Sequence, residues 1–191
     1  PAEKAIMYSM TAELYLKYYQ NERYKINQRT ELQGYVPEDM KEWTKNIFVD
    51  KIVGLAELSL EKPEILQNIS SVTYAAILEQ GKDSHDMQPT LFDFLSYRKI
   101  ELLMNFTENG SDDDFPEDDI EFTSSNQEAI TADNQLTIHS RILDTYNQLI
   151  LFNKKQNNTP ATVYAELQKL DFETETNDEK YLKELEKLEK Q

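Results

Sequence analysis

Residues 3–20 read EKAIMYSMTAELYLKYYQ, and their spacing decides the fold class. Ile6, Met10, Leu14 and Tyr18 recur four apart, and Ala5, Tyr8, Ala12, Tyr15 and Tyr19 widen the same stripe. That period predicts an amphipathic helix with one apolar side. Pro1 and Glu3 suit its start, because proline fits the opening of a helix and an acid complements the positive end of its dipole.

The same reading extends along the chain. Residues 21–36 are polar, begin helically and pass into a connection ending at Gly34. A second helix is expected from about Pro37 to Leu60, with Glu38 and Asp39 in its first turn and Trp43, Ile47, Ile52, Leu55 and Leu58 on its inner side. Pro63 ends it or opens a short turn of helix over 63–68. Ser70 or Ser71 caps a shorter helix through about Glu79, which Gly81 stops. Pro89-Thr90 opens a helix over 90–107, with Leu91, Leu95, Leu102 and Phe106 facing one way and Phe92, Phe94 and Leu103 beside them.

A segment at 126–132 leads into or joins a strong helix over 133–155, lined by Leu136, His139, Leu143, Tyr146 and Ile150. Thr159 is expected to cap a helix with Pro160 in its first position and Val163, Leu167 and Leu170 along its inner side. A capping-box pattern at Thr176-Asn177-Asp178-Glu179 introduces a last helix bearing Tyr181, Leu182, Leu185 and Leu188. The expected fold class is therefore all-α: antiparallel helix pairs, an α-solenoid or tetratricopeptide-like bundle of six or seven helices. Residues 1–191 are read as a single helical domain cut from a larger protein.

Composition narrows the function. Only 4 Gly and 6 Pro occur, too few for the many tight turns of a sandwich or barrel. The net charge of −16 disfavours polyanionic partners, so no nucleic acid is expected, nor an anionic membrane surface. No apolar run is long enough to span a bilayer. With no Cys, disulfides, thiolate metal sites and Cys nucleophiles are excluded from this segment, which leaves the compartment open.

Four features invite a chemical reading. The acidic loop at 108–121 carries eight carboxylates, but Asp112-Asp113-Asp114-Phe115-Pro116 does not match calcium-loop spacing, so a solvated loop is preferred. His85 lies between Asp83 and Asp86 without a second ligand cluster. His139 sits on the stripe of its helix and reads as a core or boundary histidine. Arg98 is expected to pair with a carboxylate across a helix seam, for instance one on the first helix, and Trp43 to anchor the core. No nucleophile elbow, phosphate loop or metalloprotease pattern occurs. No catalytic, cofactor-binding or metal-binding residue is expected, and the chain is read as no enzyme.

Two stretches carry a resemblance. Residues 12–30, AELYLKYYQNERYKINQRT, and residues 77–81 with 89–98, ILEQG and PTLFDFLSYR, resemble the helical region ahead of the macroglobulin domains in large alpha-2-macroglobulin-like proteins of Gram-negative bacteria. The Trp-containing helix between them also fits, and the likeness covers residues 1 to about 106. The resemblance implies a non-catalytic scaffold segment of an exported protease-inhibitor parent, periplasmic or anchored at the outer membrane. Its partners would be downstream domains of the parent or another protein. Thioester-bearing members carry Cys-Gly-Glu-Gln far downstream, and this chain has no Cys. The alternative is an independent helical-repeat module that binds a peptide or protein.

Overall fold

A computed structural model describes residues 1–30, 35–78, 84–107 and 132–174. The acidic loop at 108–121, the segment at 126–132 up to residue 131, the stops at Gly34 and Gly81 and the final capping-box helix lie outside the described residues. Among those described, the fold is all-α, with eight helices and no strands: α1 (Ala2–Asn21), α2 (Arg23–Asn27), α3 (Lys45–Leu58), α4 (Pro63–Leu66), α5 (Ser84–Met87), α6 (Leu91–Met104), α7 (Ala132–Lys155) and α8 (Thr159–Thr174). The chain divides into two compact units, Pro1–Lys62 with Arg98–Ser140, and Pro63–Tyr97 with Arg141–Gln191.

In the first unit α1 and α3 lie antiparallel. Tyr15, Tyr18 and Tyr19, near the end of α1, ring Phe48 at the start of α3, with centroids 6.5, 5.8 and 6.0 Å away. Trp43 joins at 5.4 Å from Phe48 and 5.5 Å from Tyr15. From Arg98 onward, α6 runs parallel to α1: Arg98 meets Glu13, and Asn105 accepts from Gln20 at 2.9 Å. Lys99 reaches Glu57 at 2.7 Å, so α6 runs antiparallel to α3.

The buried face of α1 shares Ala5, Ile6, Ala12 and Tyr19 with the expected stripe but excludes its Met10 and Leu14. Ala2, Ala5, Ile6, Ser9, Ala12, Leu16 and Tyr19 are buried. Met7, Met10 and Leu14 stand 59%, 46% and 66% exposed. Small side chains let helix axes approach closely, so the Ala-Ser face packs inward and the bulkier face is left outside.

The second helix also starts later than expected. Residues 40–42 form a 3-10 turn capped by the Asp39 side chain, which accepts from the Lys41 N–H. Trp43 then takes extended backbone and its indole N–H donates to the Pro37 carbonyl at 2.8 Å. α3 begins only after Thr44 and buries Phe48, Val49, Ile52 and Ala56, while Leu58 is exposed.

The second unit holds α4, α5, residues 91–97 of α6, the end of α7, and α8. Phe92 packs edge-on to Phe152 at 5.3 Å, and Tyr97 meets Tyr146 at 6.5 Å, so α6 and α7 are antiparallel here. α7 ends in a tight corner: the Asn158 N–H returns to the Asn153 carbonyl and the Asn157 N–H to Lys154, with Asn157 left-handed at φ 56°. This is a Schellman closure with Asn in place of the usual Gly. The Asn158 side chain then accepts from the Ala161 N–H at 3.3 Å, so Asn158 rather than Thr159 caps α8. So short a corner makes α7 and α8 antiparallel neighbours, joined by Lys154–Glu166 at 2.6 Å and by Tyr146–Phe172.

The buried faces of α7 and α8 keep Tyr146 and Leu170 from the expected stripes and otherwise differ from them. α7 buries Ile138, Ile142, Thr145, Tyr146, Leu149, Phe152 and Asn153, and His139 is exposed. α8 buries Ala161, Thr162, Ala165, Leu170 and Phe172, and Val163 is exposed. The expected helix from Ser70 is instead a 3-10 turn, Ser71–Tyr74. Ser70 forms an isolated bridge with Thr90, the Ser71 N–H donates to the Pro89 carbonyl and the Leu91 N–H to Ile69. Those bonds hold the strand-like entry to α6 and take the donors a helix would have used.

Candidate functional site

Two polar centres and one apolar strip are the features with chemistry to account for. In the second unit, Thr90 and Asp93 form a reciprocal cap on α6. The Asp93 carboxylate accepts from the Thr90 N–H at 3.1 Å and the Thr90 hydroxyl at 2.6 Å, and the Asp93 N–H donates to the Thr90 oxygen at 3.2 Å. This is a capping box with Asp in the third position. The other Asp93 oxygen accepts from the Asn153 amide at 2.7 Å, and Asn153 also donates to the Leu149 carbonyl. Asp93 and Asn153 are buried, so this network ties the start of α6 to the end of α7 without solvent.

Burial pushes the Asp93 carboxyl above its ordinary range, against the pull of the donors from Thr90 and Asn153. The Tyr97 hydroxyl is pushed up by burial first, then by Tyr164, Asp93 and Tyr146, and it is buried without a hydrogen-bond partner. Tyr146 is pushed up for the same reason.

In the first unit, Arg98 bridges Glu13 on α1 and Glu101 one turn along its own helix, the latter at 2.9 Å. Glu13 also holds Lys17 at 2.8 Å. Lys17 first, then Arg98, hold the Glu13 carboxyl below its ordinary value despite partial burial. The expectation for Arg98, a carboxylate partner on the first helix, is met by Glu13. The buried Lys99 pairs with Glu57 across the seam between α6 and α3, a pairing the sequence reading does not give.

The opposite shifts have opposite consequences with pH. Asp93 contributes stability that is present below its unfolded value near 3.8 and lost as pH rises through its higher folded value. Glu13 contributes stability that is present above its unfolded value near 4.5 and lost as pH falls through its lower folded value. A carboxyl-detected NMR titration is expected to place the Asp93 midpoint above 3.8 and that of Glu13 below 4.5. The reverse order would contradict this assignment.

The other candidates are dispersed. His85, on α5, is exposed, as is Asp86, and His139 projects to solvent from α7. Trp43 is buried in the aromatic cluster, as expected of a core anchor. Among the described residues no group of three or more His, Asp or Glu is placed to hold a metal ion, and no helix is long and apolar enough to cross a membrane. No family model, curated protein or solved structure matches the chain.

One surface remains. Met7, Met10 and Leu14 fall three and four residues apart on α1, opposite its Ala-Ser face, and form an exposed apolar strip. A strip at this spacing has the form of a helix-docking ridge.

Proposed function

We propose that this chain is a non-catalytic helical scaffold whose role is to hold other protein surfaces together. Its particular setting is the helical region of a large exported alpha-2-macroglobulin-like protein, periplasmic or anchored at the outer membrane, where it packs against that protein's downstream domains or against a partner. The helices follow an α-solenoid or tetratricopeptide-like plan, with α1, α3 and the later part of α6 running up, down and up.

The observation that supports this reading most is how the residues of the two family-like stretches are used. Glu13 of the first is bonded to Arg98 of the second. Arg29 of the first donates to the Trp43 carbonyl at 2.6 Å, on the Trp-containing stretch between them. Thr90 and Asp93 of the second cap α6, and Leu91, Phe92 and Leu95 are core. Residues that give the likeness its wording go to capping, pairing and packing, as a scaffold requires, while Met7, Met10 and Leu14 remain outside for a neighbour.

The test compares this chain with one extended by the sequence that follows Gln191 in its gene. Amide hydrogen exchange along α1 and the Met7 and Met10 methyl signals are the readout. The reading predicts added protection and shifted methyl signals in the longer chain, together with β-rich repeats in the added sequence. Identical exchange and methyl signals in both chains would defeat the packing role. The exposed strip also suits the second reading, an independent module that grips a peptide or protein, and a ligand captured by the unextended chain at Met7 and Met10 would favour it.

A further inference from the structure

Sulfur is scarce in this chain. It has no Cys, so its 5 Met hold all of it. With no thiol to compete, the thioethers are the side chains that a two-electron oxidant attacks first. The five are not placed alike. Met40, Met87 and Met104 are half-buried, each on a different element. Met7 and Met10 are 59% and 46% exposed and stand on one helix, α1. Three residues apart, they share a face of it.

That face lies outside the core. The buried residues of α1 between and beside them are Ala5, Ile6, Ser9 and Ala12. The Thr11 hydroxyl donates to the Met7 carbonyl at 2.7 Å, a bond to the main chain that oxidation at sulfur does not touch. Charge also selects the oxidant. At a net charge of −16 the chain repels hypochlorite and peroxynitrite anions, whereas hydrogen peroxide is neutral and approaches freely.

We propose that Met7 and Met10 are a paired oxidation site for hydrogen peroxide, through which the apolar strip of α1 turns polar and back without unfolding. In each step a sulfur lone pair attacks one peroxide oxygen. The S–O bond forms, the O–O bond breaks, and the departing hydroxide takes the proton of the transferred oxygen and leaves as water. Sulfur gives up two electrons and peroxide accepts them. A sulfoxide is a strong hydrogen-bond acceptor, so two on one face remove the apolar surface that a neighbour would bury. The return step takes a methionine sulfoxide reductase with a dithiol as reductant: the oxygen leaves as water and the dithiol becomes a disulfide. That the strip carries a neighbour rests on the scaffold reading above, whereas the oxidation itself does not.

The experiment treats the whole chain with hydrogen peroxide. Peptide mass spectrometry follows each Met, native hydrophobic-interaction chromatography follows the apolar surface, and urea unfolding by circular dichroism follows the fold. Met7 and Met10 are each expected to gain one oxygen at least about threefold faster than Met40, Met87 and Met104. The oxidised chain should elute earlier with its urea midpoint unchanged. Methionine sulfoxide reductases of both stereochemistries, with dithiothreitol, should restore its retention. The double variant Met7→Leu/Met10→Leu keeps the strip apolar and should hold its retention under the same peroxide. Equal rates at all five Met would overturn the proposal. So would unfolding that accompanies the first oxygens, or an equally early elution of the oxidised double variant. None of these readouts involves a partner, so their failure is separate from a failure of the hydrogen-exchange test of the scaffold reading.

Discussion

Phe48→Ala is expected to lower the stability of the first unit by about 4 kcal/mol. Phe48 is fully buried, and its ring touches those of Tyr15, Tyr18, Tyr19 and Trp43. Its removal costs the transfer energy of a large aromatic side chain. It also leaves a cavity that rigid aromatic neighbours fill poorly. Because those neighbours come from α1 and from the segment entering α3, the loss spreads over the antiparallel pair. Urea unfolding followed by far-ultraviolet circular dichroism measures it, with Trp43 emission reporting the same unit. A loss below about 1.5 kcal/mol would mean that this cluster is not a core.

Asp93→Ala is the second large effect, expected at about 3 kcal/mol. The substitution removes the cap on α6, leaves the Thr90 N–H without its acceptor and takes one of the two acceptors of the buried Asn153 amide. The asymmetry of hydrogen bonding sets the size: an unmade bond at a buried donor costs more than a made one contributes. Asn153→Leu in the Asp93→Ala background should then cost less than in the parent chain, with a coupling of roughly 1–2 kcal/mol. Strict additivity of the two changes would show that the 2.7 Å contact carries no energy.

Much of the fold was legible because helix punctuation is local. The extent of α1, the short helix at Pro63, the entry to α6 at Thr90 and the carboxylate partner of Arg98 all follow from neighbouring residues or from charge. The Thr90-x-x-Asp93 box was also readable, being a capping pattern ahead of an apolar run. Which side of each helix faces inward was less legible. On α1 the bulky Met7, Met10 and Leu14 lie outside while Ala5, Ser9 and Ala12 pack, because helices that approach closely select small side chains. On α7 and α8 large residues pack together with Thr145, Asn153, Ala161 and Ala165, which the apolar period does not mark. His139 was placed on the core stripe and is exposed.

Pro37, Glu38 and Asp39 gave the signals of a helix start, but Asp39 spends its side chain on a 3-10 turn, and α3 waits until Thr44. The shortened helix past Ser70 reflects a pairing with Thr90, twenty residues away, that no local pattern records.

The small-residue face of α1 is its core, and its Met-Leu face is exposed. Unfolding of two variants tests that directly. Ala12→Leu is expected to destabilise by about 2 kcal/mol, since Ala12 is 0% exposed and a larger side chain has no room. Leu14→Ala is expected to change stability by less than about 0.5 kcal/mol. A near-neutral Ala12→Leu beside a strongly destabilising Leu14→Ala would place the core on the opposite side of α1 and contradict the account.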